Sequence, residues 1–147
     1  LDIINGSFNT IVNGGYTFLY PIEYSNNAGN TSKYLKYRRK HSGKISALSS
    51  WKKIQAGLTL YARSKILDID DVFLNPMTRE NILPGFYDYW NLNNNAVFTA
   101  DASFGYRLNS ALRLSAVVKN LTNTEYMSRP GDIQAKRNYS LRLEGSF

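Results

Sequence analysis

Nucleophilic and metal chemistry has little to work with in this sequence, which holds no cysteine and a single histidine, His41. A disulfide, a thiolate metal site and a zinc site built from several imidazoles are therefore excluded. A hydrolytic site needs a nucleophile held beside a base that a third group orients. His41 follows the basic run KYRRK at Lys36 to Lys40 and has no recognisable partners of that kind, so no enzyme activity is expected. Asp68, Asp70 and Asp71 are oxygen ligands of the sort a hard cation takes. Their spacing is not that of a defined calcium loop, and a solvated acidic turn is the expectation, with no metal and no cofactor. The aromatic group Phe86, Tyr87, Tyr89 and Trp90 is the best candidate for ligand contact, although packing of those rings on one another accounts for them as well. The formal net charge of +7 invites a nucleic-acid reading. Only KYRRK is a cluster, however, and the other basic residues are spread over strand ends and loops, so no nucleic-acid partner is expected.

Alternating segments must position these side chains. In the last ten residues, Tyr139, Leu141, Leu143, Gly145 and Phe147 fall on one face of an extended strand and Asn138, Ser140, Arg142, Glu144 and Ser146 on the other. Side chains alternate across a strand with period two, so this is one apolar and one wet face. The cleanest case is Ala96 to Leu108, with Phe98, Ala100, Ala102, Phe104 and Tyr106 opposite Thr99, Asp101, Ser103 and Arg107. The same alternation predicts strands over Leu1 to Phe8 (with Ile4, Gly6 and Phe8 on one face), Thr10 to Tyr20, Tyr37 to Ser49, Lys53 to Lys65 and Ala111 to Asn120. Phe98, Phe104, Leu58, Leu60, Leu112, Leu114 and Leu141 are expected on the outer, convex face. Asp101, Arg107, Arg113 and Glu144 are expected on the concave one.

Connections between these segments alternate: short near Asn9, long after Pro21, short at Ser50, long after Ile66, short at Asn109, long after Leu121. An all-β, antiparallel up-and-down meander of about seven strands is the expected fold, with no helix longer than about two turns. The short-turn and long-loop asymmetry is that of outer-membrane barrels. No run of 18 apolar residues exists, so no transmembrane helix is predicted, whereas strands of roughly 10 to 13 residues suit a tilted span. Tyr20, Trp51, Tyr106, Tyr126 and Tyr139, near strand ends, fit interfacial girdles. Leu1-Asp2-Ile3-Ile4 opens directly in strand-like sequence with no charged leader, and the chain reads as a piece of something longer.

The segment Val118 to Tyr126 (VKNLTNTEY), with Arg129-Pro130-Gly131 and the terminal RNYSLRLEGSF, resembles the C-terminal end of TonB-dependent outer-membrane receptors. Tyr34 to His41 (YLKYRRKH) and Ile82 to Gly85 (ILPG) are similar to the versions found in Bacteroidetes-type bacteria. The resemblance covers essentially all of residues 1–147, as the last strands of a transmembrane β-barrel whose plug domain is absent from this stretch. It implies a receptor in the outer membrane of a Gram-negative bacterium, taking up a scarce nutrient such as an iron–siderophore complex. Its partners would be outer-membrane lipid, the remaining strands and plug of a parent chain, the TonB complex through an N-terminal region, and the barrel-assembly machinery. That machinery would read Tyr139, Leu141, Leu143 and Phe147. Segment 120–126 would open the last extracellular loop. The alternative within the same architecture is a passive porin or structural barrel.

Overall fold

The computed structural model describes residues 2–5, 7–24 and 33–145. Seven strands form one antiparallel sheet in sequence order: β1 (Asp2–Asn5), β2 (Phe8–Phe18), β3 (His41–Trp51), β4 (Ile54–Arg63), β5 (Val97–Arg107), β6 (Leu112–Lys119) and β7 (Asn138–Gly145). Every strand pairs only with its sequence neighbours, so the sheet is the expected meander.

The connections alternate as the sequence predicts. Trp51 pairs with Ile54 across a two-residue turn, and Asn5 pairs with Phe8. Between β5 and β6 the Asn109 carboxamide oxygen accepts hydrogen bonds from the backbone N–H groups of Ala111 and Leu112, each at 2.8 Å, which closes the turn. The three long connections lie at the opposite end, between β2 and β3, β4 and β5, and β6 and β7. Three short helices, α1 (Asp71–Leu74), α2 (Arg79–Ile82) and α3 (Phe86–Asn93), occupy the β4–β5 connection. The first strand ends earlier than its composition suggests. Phe8 and Asn9 belong to β2, and Ile3 shares a face with Thr10 and Val12.

Register sorts the side chains by polarity. Leu58 lies opposite Ala102, Leu60 opposite Ala100, Ala62 opposite Phe98, and Tyr106 opposite Leu114, which in turn lies opposite Leu143. Following these pairs across β2 to β7, one face carries no Asp, Glu, Lys or Arg at all. The other carries Lys44, Arg63, Asp101, Arg107, Arg113, Lys119, Arg142 and Glu144, with Ile11, Leu48, Val97 and Val117 as its aliphatic exceptions. The sets expected on opposite sides, led by Phe98 and Leu58 against Asp101 and Arg113, do lie on opposite sides.

Exposure runs against ordinary solubility. On the apolar face Phe98 is 51%, Leu58 45% and Leu141 76% exposed, while Thr99 on the polar face is 7% exposed. Phe8, Trp51 and Tyr106 line up near the short turns on the apolar face, and Tyr16, Phe18, Phe98 and Tyr139 near the long connections. Between these two belts lies an aliphatic band that includes Ile45, Ala47, Leu58 and Ala102.

The polar face is closely fitted at Gly57, between β3 and β5. A Cβ there would come 2.5 Å from the Ser103 hydroxyl and 3.3 Å from a Leu48 methyl. Gly57→Leu is therefore expected to destabilise the sheet by about 1–3 kcal/mol through overpacking. Adding Ser103→Gly should recover part of the loss, as read by urea unfolding of the two variants; no recovery would show that the fit at Gly57 lies elsewhere.

Candidate functional site

The long connections fold onto one another above the sheet. Beyond the strand ends the backbone continues to pair: the Leu67 N–H donates to the Arg38 carbonyl and the Tyr37 N–H to that of Asp68, both at 2.8 Å. The Asn94 side chain closes the β4–β5 connection by bonding both backbone groups of Ile66, at 2.9 and 3.0 Å. These links bring together a small core of Ile66, Ile69, Phe86, Trp90 and Met127, with Tyr37, Phe73, Leu74, Leu83 and Tyr89 packed against it. Gly85 initiates α3 with φ 73°, a conformation that favours glycine. The helix then turns Phe86 and Trp90 to the same side, four residues apart.

The aromatic candidates divide here. Phe86 and Trp90 are 6% and 8% exposed and belong to the core of the connections, with ring centroids 6.2 Å apart. Their packing on one another is the arrangement the structure shows: a helical spacing of four buries them, a period that a loop reading of the same residues conceals. Tyr87 and Tyr89 keep accessible surface. The Arg79 guanidinium lies 4.1 Å from the Tyr87 ring centroid, and the Tyr89 hydroxyl donates to Glu125 at 3.1 Å. Glu125 also pairs with Lys136 at 3.0 Å, and these two contacts, that of Lys136 first, hold its carboxyl below the usual range. Of the assembly residues, Tyr139, Leu141 and Leu143 lie exposed on the apolar face, and Phe147 falls outside the described residues.

The three aspartates are taken up by protein groups. Lys36 Nζ lies 2.7 Å from Asp68 and 3.1 Å from Asp71, and the Tyr37 hydroxyl donates a short hydrogen bond to Asp70. Burial and the carboxylate of Asp70 push the Tyr37 hydroxyl up to about 12. The acidic turn is thus a clamp between two connections.

The VKNLTNTEY segment has a structural explanation. Asn120, 6% exposed, leaves β6 with φ 52°. Its amide nitrogen donates to the carbonyls of Thr124 at 2.8 Å and Ala135 at 3.1 Å, while its side-chain oxygen accepts the Thr124 N–H at 3.0 Å. The Asn120 backbone N–H donates to Asp101 at 2.9 Å, and the hydroxyls of Thr122 and Thr124 donate to the Phe98 carbonyl at 3.2 and 2.9 Å. Asparagine tolerates left-handed φ and offers both donors and an acceptor. Beyond it, Arg129-Pro130-Gly131-Asp132 forms a tight turn, with Gly131 at φ 76° and the Asp132 N–H bonded to the Arg129 carbonyl at 3.0 Å.

Under this latch, on the polar face, lies a recess of about 320 Å³. Tyr61, Arg63, Asp101, Lys119, Tyr126 and Asn138 contribute to its wall. The Arg63 guanidinium lies within cation–π range of two rings, 5.8 Å from the Tyr61 centroid and 5.9 Å from that of Tyr126. Tyr126 therefore faces the recess and is corrected as an outward girdle residue. Arg39, behind it, donates to the carbonyls of Ser64 and, at 3.1 Å, Met127. Burial, and then the neighbouring charge of Arg63, lowers its pKa. Spacing alone does not reveal this recess, because it joins residues from β4, β5, β6, β7 and the β6–β7 connection. The one available signal is the alternation that puts 61, 63, 99, 101, 119 and 138 on the polar face.

No family model and no curated protein matches the chain. Among solved structures it is similar to the closed form of the ferric-catecholate import receptor Fiu from E. coli K12, at a TM-score of 0.59 and 20% sequence identity. The chain has the fold of part of that receptor. The likeness covers 98% of this chain and 19% of the receptor, so the chain spans about a fifth of that protein's length.

Truncating the core of the connections should be costly. Trp90→Ala is expected to lose about 3–5 kcal/mol locally, seen as faster amide exchange over residues 66–94 with β5 and β6 protected as before. Uniform exchange across the chain would show that this core is not separate from the sheet. The Tyr37 clamp has a predictable pH dependence. Its folded pKa lies above the unfolded value of 10.0, so its contribution is complete below pH 10 and is lost as pH rises toward 12. Tyr37→Phe should remove that alkaline loss from the melting curve.

Proposed function

We propose that this chain is a membrane-spanning part of a TonB-dependent outer-membrane receptor that imports a scarce nutrient, an iron–siderophore complex being the leading substrate class. The observation that carries the reading is the charge-free, exposed face of the sheet. In water such a face is an aggregation hazard, and in hydrocarbon it is the required surface, because the sheet hydrogen bonds satisfy the backbone and only uncharged side chains meet lipid. Flanking aromatic belts suit the two interfaces. The strand lengths, 10–11 residues in β2 to β5, fit a tilted span.

Transport in place of passive diffusion is supported by the fold shared with an import receptor and by the resemblance of VKNLTNTEY and the terminal strand to such receptors. The narrower Bacteroidetes-type assignment rests on Tyr34 to His41 and Ile82 to Gly85 alone. In this reading the long connections face the outside of a Gram-negative cell, with Tyr87 and Tyr89 among their accessible aromatics. The polar face lines the lumen, and the remaining strands, a plug and the TonB complex belong to a longer parent. Tyr139, Leu141, Leu143 and Phe147 serve as the signal for barrel assembly, since an alternating apolar strand with an open edge suits recognition by strand addition.

The test compares opposite faces at one height. Leu58→Lys places a cation on the apolar face and is expected to cost about 2–4 kcal/mol at mid-membrane. Thr59→Lys places one on the polar face and should be tolerated. Heat-modifiable gel mobility of outer-membrane fractions reads both; equal loss for the two variants, or recovery of the wild-type chain outside the membrane fraction, would sink the proposal.

A further inference from the structure

We propose that the recess around Arg63 and Lys119 is an oxyanion subsite, taking the carboxylate or phosphate group of a solute that enters from the side of the long connections. This deepens the receptor reading, on which it rests for the route of entry.

The argument starts from charge. Arg63, Lys119 and Asp101 all line the recess. Among the described residues neither Arg63 nor Lys119 forms an ion pair. One oxygen of Asp101 already accepts the backbone N–H of Asn120 at 2.9 Å. The recess therefore holds two cations against one carboxylate that is partly satisfied, and Arg39 adds a third positive group at its back. The wider face has the same bias, with six cations and two carboxylates over β2 to β7.

Geometry then selects what could answer that charge. The rings of Tyr61 and Tyr126 engage the guanidinium of Arg63 as cation–π partners. Such contacts leave the in-plane N–H groups, and no hydrogen bond to another described residue uses them. A fork of free donors held by aromatic rings matches a carboxylate or phosphate, which accepts two parallel hydrogen bonds. Lys119 supplies a second charge, and the amides of Gln134 and Asn138 on the wall can donate to further oxygens. A volume of about 320 Å³ is ample for such a group. Arg39 is less suited to this role, because each terminal nitrogen of its guanidinium already donates to a backbone carbonyl, those of Ser64 and Met127, and fixes it there. It acts as a positioning residue, tying the β4 end to the β6–β7 connection that brings Tyr126 over Arg63.

The experiment uses the full chain in detergent micelles with 4-fluorobenzoate, observed by fluorine NMR, and inorganic phosphate as competitor. Neutral 4-fluorobenzyl alcohol is the control for the ring. Benzoate should bind, the alcohol should not, and added salt should weaken binding. Arg63→Gln should weaken binding by at least about tenfold, while Arg63→Lys, which keeps charge without the fork, should fall between. Arg107→Gln, on the same face but outside the recess wall, should leave it unchanged. Displacement of bound benzoate by phosphate would uphold a shared oxyanion site; benzoate binding that phosphate does not displace would uphold the site as one for carboxylates. Equal binding of the alcohol, equal effects of Arg107→Gln and Arg63→Gln, or no binding of benzoate would overturn the proposal. Membrane fractionation separates the two levels. A chain that binds benzoate yet is absent from outer membranes keeps the subsite and removes the receptor reading.

Discussion

One constraint governs this molecule: the backbone of a sheet must hydrogen-bond to itself wherever water is excluded. An antiparallel meander meets that need by pairing each strand with its neighbours in sequence, as all seven strands do here. Once the backbone is settled, side-chain polarity is free to invert. The face without charge leaves Phe98, Leu58 and Leu141 exposed, while the face rich in arginine and lysine holds the well-covered Thr99. The exclusion of Asp, Glu, Lys and Arg from a whole face is a far stronger condition than amphipathicity, since a water-soluble sandwich strand tolerates an occasional charge at its edges. Under the proposed membrane reading the sheet needs no large core, because the solvent on its apolar side would itself be apolar.

The conventional core of this chain sits instead among its connections. Ile66, Ile69, Phe86, Trp90 and Met127 come from two of the long connections, and Tyr37 reaches them from the third. These residues lie beyond the sheet and are buried among the connections, with an aromatic centre and hydrogen-bonded polar groups around it. The ion pairs of Lys36 and the hydrogen bond from Tyr37 to Asp70 close one side. The Asn120 latch closes another and turns the chain back toward β7. The loops are thereby a joined cap, and the recess at Arg63 lies where that cap meets the polar face.

Much was legible from sequence. Period two is a local property: it needs no knowledge of which strand pairs with which, so the faces of β4 to β7, the alternation of turns and connections, and the meander all follow from the chain read in order. The strand ends were less secure, because Phe8, Asn9, Ser50 and Trp51 suit a strand or a turn equally and only pairing with a neighbour decides. The resemblance of VKNLTNTEY to receptor sequences singled out this segment but not what its side chains contact. That depends on Asp101 and Ala135, which come near Asn120 only after folding.

Tertiary structure alone decided the rest. Whether Phe86 and Trp90 face a ligand or a core depends on Ile66 and Met127, far away in the chain, so no local pattern could settle it. Whether Asp68, Asp70 and Asp71 hold a cation or a lysine depends on Lys36, more than thirty residues earlier. The cationic recess joins residues from four strands and one connection, and its charge is a sum over groups that the sequence lists separately. Alternation determined which face each side chain would take, because it is fixed by the geometry of one strand. Contact between distant segments determined what each side chain would meet there, because it exists only when the whole sheet and its cap have closed.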